Sequence, residues 1–242
     1  MRAVVMGYGL LSYLFFNVVF LYMGFFVADL WVPKTVSSGA VGHQGLALLI
    51  DIGLVSLFGL QHSIMAREGF KQWINRLMPE AIERSSYVLL SAVVLVVVMA
   101  FWQPLEGQVW QVENTLLRGL MLALMAVGLV VTLAATFLTS HIDLFGLRQV
   151  YFHYIGETYK DVEYTESFFY TVIRHPMMFG LLLFLWASPD MTLSKLVFSA
   201  TMSVYIFIGV YFEEKDLSRR FGAQYDDYRS RVPMVLPRTK RK

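Results

Sequence analysis

Three short stretches of this chain concentrate side chains that can move protons or hold anions. The first is Gln61-His62-Ser63 with Arg67. The second, Ser140 to Tyr151, places His141, Asp143, Arg148 and Gln149 within ten residues. A base, a carboxylate, a guanidinium and an amide so close together suit proton transfer combined with anion recognition. The third is Arg174-His175-Pro176, joined by the acidic pair Glu213-Glu214 further along the chain. A proline there suits the first turn of a helix, where its missing N–H is not needed. The amides of that turn would point at an anionic ligand group such as a carboxylate. The same residues also suit hydrogen bonding between helices, helix capping and simple solvation, and spacing alone leaves both uses open. With no cysteine anywhere, disulfides, thiolate catalysis and cysteine-held metal or iron–sulfur sites are excluded.

The elements that must carry these stretches are read from the apolar runs. The 242 residues are 57% hydrophobic, and the excess is clustered: 3–28, 87–103 and 119–140 contain no charged residue. Runs of about 18 or more apolar residues read as helices crossing the ~30 Å hydrocarbon layer, where backbone groups must bond one another. Six apolar segments follow, near 3–28, 45–65, 86–103, 119–140, 175–188 and 194–212. The fifth is short for a crossing, so five crossings stay open beside six. The expected fold is an all-α polytopic transmembrane bundle with a C-terminal helix on the cytoplasmic side. Residues 1–140 would supply four membrane helices, and 141–242 a loop, a helical hairpin and a tail. In that tail Leu217, Phe221, Tyr225 and Tyr228 make an apolar stripe at helical spacing.

Charge gives the orientation. Of 20 Lys and Arg residues, the outer loops would hold only Lys34, Arg118 and Lys195, and the basic remainder marks the cytoplasmic side, with both termini on it. The cluster Arg238, Lys240, Arg241 and Lys242 beside a membrane fits anionic lipid rather than nucleic acid. The expectation is an integral membrane protein, of a bacterial inner membrane, whose partners are lipid and a small molecule. Its oligomeric state is not legible.

Taken together, Arg174-His175-Pro176, Glu213-Glu214 and Leu217…Phe221-Gly222…Tyr225…Tyr228…Val232-Pro233 resemble the isoprenylcysteine carboxyl methyltransferase superfamily. The whole chain is more similar to its nurim-related branch, and within it to bacterial methanethiol S-methyltransferases. Three stretches carry that narrower likeness: Phe58 to Arg67, Ile82 to Tyr87 and His141 to Val150. The resemblance implies a membrane-embedded enzyme that uses S-adenosylmethionine, unlike the soluble dinucleotide-fold enzymes; no glycine-rich turn after a strand pattern is present. It implies that Tyr170, His175 and Pro176 line the cofactor site, with Arg174, Met178 and Gln149 beside them and Tyr164-Thr165 nearby. Glu213 or Glu214 would bond the cofactor's hydroxyls or amino group. Met178 stands where the family often has an aromatic residue. Prenylcysteine enzymes carry an arginine about one turn before the acidic pair; here that stretch is Ile208-Gly209-Val210-Tyr211, without a cation for a substrate carboxylate.

The activity so implied is methylation of a small thiol, methanethiol to dimethyl sulfide, and it needs no metal. A thiol must lose its proton before an in-line displacement. His141 or His62 would take it, Asp143 would orient the histidine, and Arg148 would steady the thiolate or hold the cofactor carboxylate. Two rivals stand beside this reading. One is a prenylcysteine-type carboxyl methyltransferase. The other is a non-enzymatic nurim-like protein, or a membrane protein of nitrogen-oxide metabolism binding haem through His62, His141, His153 or His175.

Overall fold

The computed structural model describes residues 1–160 and 168–236. The Tyr164-Thr165 stretch and the basic cluster Arg238, Lys240, Arg241 and Lys242 lie outside the described residues. Five helices are long and apolar enough to cross a membrane: α1 (Arg2–Ala28), α2 (Gln44–Met65), α4 (Glu83–Phe101), α5 (Thr115–Leu138) and α9 (Leu193–Phe221). Between and after them come α3 (Glu68–Ile74), α6 (His141–Leu144), α7 (Leu147–Ile155), α8 (Pro176–Trp186) and α10 (Ala223–Arg231). Among the described residues the only sheet is a pairing of β1 (Gln108–Gln111) with β2 (Asp190–Thr192). The chain is an all-α integral membrane protein. Its long helices turn leucines and valines outward, among them Leu11, Leu14, Val18, Leu21, Leu116, Leu120 and Val130. Apolar surface of that extent is unfavourable against water and favourable against lipid.

The contacts divide the chain into two compact units. The first holds residues 1–109, 140–160 and 191–198. In it α1 packs against α4 and α7, and α2 against α4. Small residues allow these approaches: a Cβ on Gly9 would sit 2.6 Å from Val150 Cγ2. Gly146, at φ 85°, bends the chain between α6 and α7 and lies so close to α4 that a Cβ would meet the Ser85 amide nitrogen at 2.7 Å. Only glycine meets both demands. At the other end of this unit Asp29 caps α1 in the left-handed region (φ 58°). Its carboxylate accepts from the Ser37 hydroxyl (2.9 Å) and pairs with the buried Lys195 (2.9 Å).

The second unit holds residues 110–139, 168–190 and 199–236. Its centre is the contact of α5 with α8. A Cβ on Gly128 would fall 2.6 Å from the Phe184 amide nitrogen, and one on Gly180 2.6 Å from the Gly128 carbonyl oxygen. Backbone lies directly on backbone, as at small-residue crossings in membranes. The 11 residues of α8 rise only about 16 Å, short of the ~30 Å layer. Its flanks extend the run along α5. At one end Tyr170 Oη lies 2.6 Å from Thr139 Oγ1, and at the other Arg118 holds both carboxylate oxygens of Asp190 (2.7 and 2.5 Å). Residues 118 and 139 are about 31 Å apart along α5 at 1.5 Å per residue. Residues 170–190 therefore run alongside the whole length of α5.

Candidate functional site

In the second unit, the tail builds the site around Glu214. Gly222 adopts φ 56°, which reverses the chain between α9 and α10. Tyr225, Tyr228 and Val232 then bury against Leu217 and Phe221, the stripe expected from spacing. Beyond α10 the chain pairs with the segment leading into α8: Arg174 N–H donates to Pro233 O (2.9 Å) and His175 N–H to Met234 O (3.0 Å). Tyr228 Oη–H adds a bond to Tyr170 O (2.7 Å). Three hydrogen bonds thus clamp residues 170–175 from the tail side.

The clamp assigns different work to the two glutamates. Glu214 is buried, and its Oε1 receives Arg174 Nε (2.7 Å), Arg174 Nη2 (2.6 Å) and His175 Nε2 (3.1 Å). Its Oε2 faces Arg229 Nε at 3.2 Å. The remaining Arg174 nitrogen, Nη1, donates to the carbonyls of Arg229 (2.9 Å) and Val232. A buried carboxylate is tolerated only with this much compensation. Arg174 and Glu214 are consumed by the fold. Glu213 is half exposed, with one oxygen 3.6 Å from His175 Nδ1. Its lone pairs are the ones available for a ligand. Pro176 occupies the first turn of α8, no side chain caps that turn, and Met178 lies half-buried in it. Burial, with a smaller contribution from the Glu213 charge, raises the Tyr170 phenol above its ordinary value, partly offset by the Thr139 hydrogen bond. The phenol therefore stays protonated at neutral pH. Of the residues expected to hold a cofactor, Tyr170, Arg174, His175, Pro176, Met178, Glu213 and Glu214 fall in this one region.

The first unit gathers the rest. Asp143 Oδ1 accepts from Tyr159 Oη–H (2.8 Å) and Gln149 Nε2–H (3.3 Å), with Arg148 Nη1 at 3.8 Å. Arg148 also lies over the rings of Phe152 and Tyr159, 5.4 and 5.6 Å from their centroids. Gln149 thus belongs to the Asp143 group, and its buried Oε1 has no partner among the described residues. His141 has a partner that spacing did not suggest: its Nε2 lies 2.8 Å from Tyr13 Oη on α1. Desolvation holds the His141 imidazole below its ordinary value, so it is neutral at pH 7. His62 is held at both nitrogens, Nε2 by Tyr87 Oη (2.6 Å) and Nδ1 by Ser91 Oγ (3.1 Å). Arg84 stands over the Tyr87 ring at 5.1 Å and donates to Leu144 O at 2.8 Å, tying α4 to α6. Tyr13 and Arg229 were given no role from sequence, and Tyr87 entered only as the end of the Ile82 to Tyr87 stretch. Two are aromatics in apolar helices and one is a tail arginine among many, so no local pattern marks them.

Residues 50–236 match the family described as NnrU protein. The chain belongs to that family. It is 45% identical over 234 residues to a methanethiol S-methyltransferase of Pseudomonas deceptionensis, spanning 97% of this chain and 89% of that one. It is 39% identical over 236 residues to one of Crocosphaera subtropica, spanning 98% and 92%. More distantly it is 29% identical over 178 residues to nurim of Bos taurus, spanning 70% and 68%. This family member thus has the nurim-related likeness read from its motifs. No solved structure matches it.

Proposed function

We propose that this protein is a thiol S-methyltransferase that converts methanethiol to dimethyl sulfide with S-adenosylmethionine as donor. The observation that carries the reading is 39–45% identity, over nearly the whole chain, to proteins named for that reaction. The second unit supports the donor assignment. A half-exposed Glu213 carboxylate beside His175, a protonated Tyr170 hydroxyl and an uncapped helix start at Pro176 fit a ligand with hydroxyls, an ammonium and a carboxylate. Glu213 accepts from hydroxyl or ammonium groups, the first-turn amides of α8 take the carboxylate, and Met178 gives an apolar contact. Bound S-adenosylmethionine supplies an electrophilic methyl on a sulfonium. Arg174 and Glu214 hold this surface in shape.

Deprotonation of the thiol falls to His141. Its imidazole is neutral at pH 7 and able to accept a proton, whereas both nitrogens of His62 are already engaged. The same engagement argues against haem ligation by His62, and carboxylates on both sides of His175 argue against it there. Arg148, stacked on two rings and near Asp143, steadies negative charge. An apolar acceptor partitions into lipid, which gives a reason for housing the reaction in a membrane. Six passes return the chain to the side where it began, and the basic residues place both termini in the cytoplasm of a bacterial inner membrane.

The test is headspace gas chromatography over purified protein supplied with methanethiol and S-adenosylmethionine. Dimethyl sulfide should accumulate with both present and not with either alone. Its absence, in protein that remains folded, sinks the reading.

A further inference from the structure

We propose that Tyr13, in the uncharged first span, is the positioning residue that fixes the His141 ring for its role as base. The inference rests on the methyl-transfer reading above and names the orienting partner that the reading lacks. Asp143, the carboxylate two residues away, is the natural choice from sequence, but it is bonded to Tyr159 and Gln149 and faces Arg148. Tyr13 Oη instead lies 2.8 Å from His141 Nε2.

Three further observations show that the ring is held in place. Its plane stands at 90° to that of Tyr13, with centroids 5.7 Å apart. Phe145 contacts both rings, 4.8 Å from His141 and 5.8 Å from Tyr13, and is itself buried with Met65, Tyr87 and Val88. The residue before the histidine, Ser140, is held at φ 85°, a left-handed conformation that a non-glycine residue adopts only where the surrounding packing enforces it. A tyrosine on one helix, a phenylalanine and a strained turn thus converge on one imidazole.

The chemistry follows from the hydrogen bond. With Nε2–H donating to the phenol oxygen, the tautomer leaves the lone pair on Nδ1, the nitrogen Tyr13 does not hold. In the transfer the acceptor's S–H bond breaks and its proton goes to Nδ1. The sulfur lone pair forms the new S–CH3 bond, and the electron pair of the broken donor bond stays on the departing thioether sulfur. The imidazolium is stabilised by a charge-assisted bond from Nε2–H to Tyr13, and the proton later leaves to water. The charged side chains on the elements packed here are Arg2 of α1, Asp51 of α2, Arg67 before α3, Glu68 and Lys71 of α3, Glu80 before α4, Glu83 and Arg84 of α4, and Asp143 and Arg148 of α6 and α7. Arg84 donates to Leu144 O and stands over the Tyr87 ring, while Tyr13 Oη lies at hydrogen-bond distance from Nε2.

Tyr13→Phe keeps the ring packing and removes the oxygen. The measurements are kcat and KM for methanethiol against pH, S-adenosylmethionine affinity by calorimetry, and the His141 titration by ¹⁵N-histidine NMR. Loss of a general base's orientation should lower kcat about 10- to 100-fold, with donor affinity and KM held. Both the acid limb and the His141 titration should move to lower pH, because a phenol accepting from Nε2–H favours the charged ring. An unchanged kcat overturns the inference. So does a shift to higher pH, which means that the phenol donates to Nε2, and so does a parallel loss of donor affinity, which means a structural role. If Tyr13→Phe does not fold, 3-fluorotyrosine at position 13, a weaker acceptor, must move the titration the same way. Wild-type protein that binds the donor and never forms dimethyl sulfide defeats the functional reading itself, a result distinct from an active wild type beside an unaffected Tyr13→Phe.

Discussion

At the scale of single residues, the acidic pair Glu213-Glu214 shows how neighbours of one type acquire different tasks. Glu214 is buried under two arginines and a histidine, while Glu213 faces outward. Glu213→Gln should leave melting in detergent nearly unchanged and weaken S-adenosylmethionine binding about 10- to 100-fold, the scale of a charged hydrogen bond. Glu214→Gln should instead lower thermal stability sharply, since breaking a buried ion pair costs about 3–5 kcal/mol. Calorimetric binding and thermal melting of both variants decide it; equal effects on the two measurements would contradict the division. His141 gives a pH expectation. Burial favours its neutral form, so the base stays competent as pH falls past the ordinary histidine value of about 6.5. The acid limb of kcat should lie below that pH, and His141→Ala should abolish turnover while retaining donor binding.

At the scale of elements, the site depends on how α8 is seated. Its start carries Pro176 in an uncapped first turn, and its length lies against α5 with Gly128 and Gly180 in backbone contact. A Cβ at Gly180 would meet Thr132 Oγ1 at 2.5 Å and two backbone atoms, Gly128 O and Thr132 N, at 2.6 and 2.7 Å, which cannot swing aside. Gly180→Ala should therefore cost at least the 1–3 kcal/mol of ordinary overpacking, read as a lower melting temperature in detergent. Gly7→Ala, which has open space around the added methyl, is the control and should melt like wild type. The tail acts at the same scale. α10 and the chain after it hold residues 170–175 through Tyr228, Pro233 and Met234, so the polar C-terminal region frames the segment that leads into α8.

At the scale of the molecule, the proposed orientation rests on six passes and on the distribution of basic residues. The absence of cysteine makes this easy to test, because any introduced thiol is the only one. A cysteine at Gln108, between α4 and α5, should react with a membrane-impermeant maleimide in intact cells. One at Glu157, after α7, should react only once the membrane is opened. The reverse pattern would invert the proposed topology.

The uncharged runs were enough to read the five long helices, and Pro176 the start of α8. Hydrocarbon admits so few backbone arrangements that apolar length alone specifies a span. The stripe Leu217, Phe221, Tyr225 and Tyr228 was equally legible, since helical periodicity is a local property. What composition could not reveal was how far the 11-residue α8 and its flanking chain run along α5. That depends on Arg118 and Thr139 catching the ends of its flanking chain. Nor could it reveal which glutamate is spent on the fold, or that the partner of His141 is a tyrosine 128 residues earlier in the chain. Residue type and spacing report what a side chain is able to do. Which of those abilities is already used up depends on neighbours brought in from distant helices, and that is decided only when the helices pack.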